Sequence, residues 1–171
     1  MIIGKLARVR QFAGFSISTI EKSFAKMMGG VIPPLGKPLG AYVPAILYKG
    51  QVFTSGQLPL KDGQLMAKGK VGKDVSEETA IECAKWCAFN CLNAARSVIG
   101  DLEKIEKVLK VAVFVSSAEG YTNQPKVANG ASDVLLELFG EKGKHARCAV
   151  GVSELPANAP IEIDMVFGIK E

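Results

Sequence analysis

Lys144-His145-Ala146-Arg147-Cys148-Ala149-Val150-Gly151-Val152 is the stretch from which the fold can be read, together with Ile161-Glu162-Ile163-Asp164-Met165-Val166-Phe167 after the next turn. From Ala146 to Val152 every residue but Arg147 is small or apolar, which predicts a buried strand holding one guanidinium. Such a cation requires an acidic partner, and its planar fork suits a carboxylate, from the protein or from a ligand. The second stretch alternates with period two and sets Glu162 and Asp164 on one face. Arg147 and Glu162 are therefore expected near each other across a strand pair. On residue types alone, two readings stay open: a structural ion pair with Glu162 or Asp164, or a binding site.

Outward from these strands the chain reads as one unit. Asp74 or Ser76 opens a helix that runs to about Ile99 and stops at Gly100; its small residues Ala80, Ala84, Cys87, Ala88, Cys91 and Ala95 repeat at helical spacing. Pro125 marks the approach to a second helix, Val127 to Phe139, closed by Gly140. Val108 to Val115 is a strand, and Lys49-Gly50 joins the strands of a hairpin. A third strand is expected between Gln64 and Val71. Ser18 or Thr19 caps a short helix ending at Gly29-Gly30, before a Pro- and Gly-rich linker to Gly40. The order β-β-β-α-β-α-β-β implies an α+β layer, with both helices on one face of a mostly antiparallel sheet.

Composition narrows the function. The chain has 171 residues, 48% hydrophobic and 22% charged, as in an ordinary globular domain. No apolar run approaches the roughly 18 residues of a membrane span. Net charge is +4, but Lys5, Arg8 and Arg10 precede the first acid, Glu21, so the remainder is nearly balanced and announces no polyanion partner. Residues 1–17, basic and acid-free, resemble an organellar presequence or an arm, with residues 18–171 as the folded domain. The compartment expected is cytoplasmic, or mitochondrial if those residues are a presequence. Cys83, Cys87 and Cys91 form one helical stripe and read as core; a zinc reading lacks its fourth ligand, since the only histidine is His145.

Tyr42, Thr54-Ser55-Gly56-Gln57-Leu58-Pro59, Asn129, Ala146-Arg147, Leu155-Pro156 and Ile161-Glu162-Ile163 occur in the order and spacing of the reactive intermediate deaminase family, RidA, also called YjgF or L-PSP endoribonuclease-like. From Gly40 to Phe167 the chain most resembles the branch that carries Gly-Gln-Leu-Pro, Gly-Lys-Val-Gly, His-Ala-Arg and Ala-Val-Gly-Val in succession. The resemblance implies a chorismate-mutase-like fold, a homotrimer with clefts between subunits, and hydrolysis of 2-imino or 2-enamino acids to 2-oxo acids and ammonia with no cofactor or metal.

By that resemblance Arg147 holds the substrate carboxylate, Glu162 activates or orients water, Ser55 and Tyr42 line the cleft, and Asn129 contributes from the neighbouring side. Read without it, Tyr42 packs, Ser55 bonds the hairpin backbone and Asn129 caps a helix. The chain departs from the family pattern where Cys148 directly follows Arg147 and Ala149 holds the place often taken by cysteine, and in the loop Ser117 to Pro125. A ribonuclease or translation-inhibitor role, and a non-catalytic trimer binding a small carboxylate, are the alternatives. The lysine groups at 68, 70 and 73 and at 104, 107 and 110 carry no interleaved aromatics to stack bases.

Overall fold

The structure is a computed structural model that describes residues 18–35 and 40–170; the basic stretch 1–17 lies outside the described residues. Among the described residues three α-helices form where the sequence supplies starts and stops. Ser18 Oγ accepts the Glu21 N–H at the start of α1 (Thr19–Met27), and Ser76 Oγ accepts the Thr79 N–H at the start of α2 (Glu77–Ile99). Pro125 sits in the first turn of α3 (Gln124–Phe139), where a missing N–H costs nothing. Gly100 and Gly140 end α2 and α3 at positive φ, 86° and 56°.

The main sheet takes the order β1-β2-β7-β5-β6, from β1 (Ala45–Tyr48), β2 (Gln51–Thr54), β5 (Ile105–Ser116), β6 (Ala146–Val152) and β7 (Ile161–Ile169). Every pairing in it is antiparallel except β5 with β6. The expected third strand is not in this sheet. The chain there makes β3 (Leu60–Lys61) and β4 (Gln64–Leu65), a separate two-stranded ribbon about the Asp62-Gly63 turn.

Period two decides which side of the sheet is covered. Ile161, Ile163, Met165 and Phe167 of β7 are fully buried beneath the helices, each such side chain contributing about 1.5–3 kcal/mol by burial. The cysteine stripe of α2 lies on this layer: Cys91 Sγ–H donates to the Ile163 carbonyl at 3.2 Å, and Cys87 Sγ–H to the Ile161 carbonyl at 3.8 Å. Burial pushes both thiols well above their ordinary pKa, so they are packing groups. α3 approaches α2 closely at Gly130, where a Cβ would fall 2.2 Å from the Ile81 carbonyl oxygen.

Among the described residues no helix lies over the opposite face of the sheet. By register it carries Ile46, Tyr48, Phe53, Phe114, Cys148, Val150 and Val166 around Glu162 and Asp164. Of these Ile46, Tyr48, Phe53 and Val150 stand exposed, a sizeable apolar surface for one chain.

Candidate functional site

The register separates the two charged residues expected to meet. β5 lies between β6 and β7, with Arg147 opposite Val111 and Val111 opposite Met165, whereas Glu162 is opposite Phe114. Arg147 and Glu162 are thus about 10 Å apart along the strands and about 10 Å apart across them. They also face opposite ways: Arg147 shares the helix side with Val111, and Glu162 shares the open side with Phe114 and Val150. The ion pair with Glu162 or Asp164 is absent, and so is the adjacency across a strand pair. The placing of β5 between β6 and β7 is the cause, and it leaves β6 as an edge strand that is partly exposed rather than buried.

Arg147 is instead held by α3. Its Nη1 donates to Asn129 Oδ1 and to Ser132 Oγ, both at 2.9 Å, and its Nη2 donates to the Pro125 carbonyl at 3.2 Å. Asn129 therefore stands beside Arg147 in the same chain, not across from it. It does not cap α3, whose N-cap position is Asn123. All three partners are neutral, and among the described residues no carboxylate pairs with Arg147. A guanidinium has five N–H groups, so Nε–H and one Nη2–H remain without a protein acceptor there.

Glu162 belongs to a second group of residues. Gln57 and Ile163 exchange backbone hydrogen bonds at 2.8 and 3.1 Å, which lays the Ser55-Gly56-Gln57 segment along β7. The Glu162 carboxylate rests on Gly56 so closely that a Cβ there would lie 1.8 Å from Oε1. Burial, and then the charge of Asp164, push the Glu162 carboxyl above its ordinary pKa of 4.5. Ser55 Oγ donates to the Val43 carbonyl at 2.7 Å and so fixes the hairpin end next to Tyr42, which is exposed. Tyr42, Pro44, Gly56, Gln57 and Leu58 line a cleft of about 170 Å³ that Asn90 stiffens by donating to the Leu58 and Leu60 carbonyls.

One chain thus brings Tyr42, Ser55 and Glu162 to one region and Arg147 and Asn129 to another. Sequence reasoning missed Ser132 and the Pro125 carbonyl on the arginine side, and Gly56 under the carboxylate. Ser132 stands three residues after Asn129, the spacing that puts both on one helix face. A hollow of about 1190 Å³ between α1 and the end of α2 contains none of these residues. Its buried acid, Glu21, is already committed to Arg96 at 2.7 Å and to the Leu102 N–H. Among the described residues no three His, Cys, Asp or Glu side chains converge as metal ligands would, and no helix is long and apolar enough to cross a membrane.

Comparison with known proteins places the chain by family and fold. The profile of the family described as "YjgF/chorismate mutase-like, putative endoribonuclease" matches residues 23–167. Protein TCP17 of Trypanosoma cruzi is 38% identical over 138 residues, covering 80% of this chain and 86% of that one. A 2-iminobutanoate/2-iminopropanoate deaminase of Dermatophagoides farinae is 27% identical over 139 residues, covering 81% and 93%. Among solved structures, a protein of unknown function from Agrobacterium tumefaciens superposes with a TM-score of 0.81 at 37% identity, covering 88% of this chain and 93% of its own.

Proposed function

The chain belongs to the YjgF/chorismate mutase-like family, and from that premise we propose that it hydrolyses small 2-imino or 2-enamino acids to 2-oxo acids and ammonia, in clefts between the subunits of a homotrimer. The observation that carries this reading is the state of Arg147. Among the described residues its positive charge is fixed in place by neutral acceptors only, with Nε–H and one Nη2–H left over. Two N–H groups at the rim of a guanidinium are what a carboxylate binds in a fork.

The separated residues explain why the site belongs to an assembly. Glu162 in the same chain is too far from Arg147, and on the wrong face, to act on anything held there. A head-to-tail contact brings the Arg147 edge of one copy to the Glu162, Ser55 and Tyr42 region of the next, and such contacts close into a ring when the rotation permits. The exposed apolar side of the sheet supplies a surface for that association.

Within such a cleft the chemistry follows from the groups. Arg147 fixes the substrate carboxylate, which sets the position of the C=N carbon. Glu162 takes a proton from water as it attacks that carbon, and its raised pKa brings it nearer the pH at which a base and its conjugate acid both serve. The carboxylic acid returns that proton to nitrogen to give the carbinolamine, and the carboxylate then carries the carbinolamine hydroxyl proton to nitrogen as the C=O bond forms and the C–N bond breaks, releasing ammonia. Gly56 is the wall against which the Glu162 carboxylate is set, and Ser55 next to it anchors the segment through the Val43 carbonyl. Positioning supplies much of the rate.

The test is ammonia release from a freshly generated 2-iminobutanoate, the substrate in the name of the mite relative. Arg147→Ala should abolish it while oligomeric state and melting stay near those of the wild type; unchanged turnover rejects the proposal. A carboxylate-binding trimer without turnover rests on the same arginine, and ligand-dependent melting in the absence of ammonia release would favour it.

A further inference from the structure

Arg147 is the first link in a hydrogen-bond chain that runs away from the cleft. His145 Nδ1 lies 2.6 Å from the Gly143 carbonyl, which can only accept, so Nδ1 carries a proton. In the neutral ring Nε2 is then an acceptor, and the atom in reach is Ser132 Oγ at 3.1 Å. With its proton given to Nε2, Ser132 Oγ turns a lone pair to Arg147 Nη1 at 2.9 Å. Every donor in the series Arg147, Ser132, His145, Gly143 therefore points one way, and each bond polarises the next.

Resting on the reading of Arg147 given above, we infer that Ser132 and His145 are positioning residues, which hold the guanidinium with its Nε–H and Nη2–H presented to an incoming carboxylate. The two hydrogens of Nη1 are taken by Asn129 and Ser132, and Nη2 is tied to Pro125, so the plane of the group is set from three sides. Without Ser132 facing the right way, the long side chain of Arg147 on an edge strand regains rotamers that do not match the ligand. His145 decides which way Ser132 faces. Burial lowers the imidazole pKa and favours the neutral ring that this role requires. A protonated ring would offer Ser132 a donor and remove its acceptor.

The test uses the full chain and 2-oxobutanoate, the hydrolysis product of 2-iminobutanoate, as the binding probe, with ammonia release as the kinetic one. Ser132→Ala and His145→Phe should each raise Kd and KM by about 10-fold, as for other groups that orient a binding residue at one remove, with kcat changed by less than about 3-fold. His145→Gln, whose amide oxygen can accept from Ser132, should recover most of the loss, which a merely structural role would not do. If Ser132→Ala and His145→Phe bind like the wild type while Arg147→Ala does not, the inference is overturned and the proposed function stands. If the wild type and Arg147→Ala bind alike, both fall. Should Ser132→Ala fail to fold, the Phe and Gln variants at position 145 decide the matter alone.

Discussion

Replacing Gly56 by alanine tests Glu162 without touching its carboxylate. The new methyl would sit 1.8 Å from Glu162 Oε1, far inside contact distance, and what it meets is the end of a side chain rather than backbone. Gly56 is not among the residues at positive φ, so alanine imposes no backbone strain. The fold should survive, with the carboxylate withdrawn by more than ~1 Å from where the wild type holds it. A displacement of that size at a reacting group costs on the order of 100-fold in rate, or about 2.7 kcal/mol of barrier. Steady-state ammonia release from 2-iminobutanoate should therefore show kcat/KM lowered about 100-fold, with 2-oxobutanoate still bound through Arg147. If Gly56→Ala, folded and assembled like the wild type, keeps kcat within about 3-fold, then the placement of Glu162 does not matter to the reaction and its role as base is wrong.

Gly130→Ala places a Cβ 2.2 Å from the Ile81 carbonyl and must push α3 from α2, so unfolding should show a loss of about 1–3 kcal/mol, and an unchanged Tm would contradict the close approach. Because burial and Asp164 raise the Glu162 pKa, the acid limb of kcat/KM should lie above pH 4.5, and Asp164→Asn should move it down. The folded-state pKa of His145 is lowered by burial, so the unfolded chain takes that proton first. This contribution to stability is complete above the ordinary pKa of 6.5 and declines as pH falls through it, and His145→Gln should flatten that part of the stability curve. RNA binding should be absent at low salt; a steep salt dependence of a measurable affinity would revive the nucleic-acid reading.

Local chemistry made most elements legible before any coordinates. The alternation of residues 161–167 became β7 with its odd positions buried, and the small-residue stripe of 80–95 became the face of α2 that covers the sheet. Caps and glycines located helix ends to within a few residues. The insertion of β5 between β6 and β7 was not legible, because strand order depends on pairings between residues far apart in sequence, which periodicity does not encode. That insertion is why the adjacency of Arg147 and Glu162 failed. The apolar character of residues 146–152 suggested burial within the chain, but an edge strand can be apolar because a second copy covers it. Asn129 was legible as a residue of interest, whereas its partnership with Arg147 depends on α3 lying over β6. Ser132 and His145 gave no signal in isolation, since a serine in a helix and a histidine before a strand are common.

Crystals of the wild type soaked in 2-oxobutanoate show whether a carboxylate from solution docks on Arg147 where two copies of the chain meet. The carboxylate should be found on Nε and Nη2 of Arg147, with Glu162 of an adjacent subunit facing the 2-oxo carbon. A ligand bound elsewhere, or an Arg147 covered at the subunit contact with no space beside it, would contradict the account.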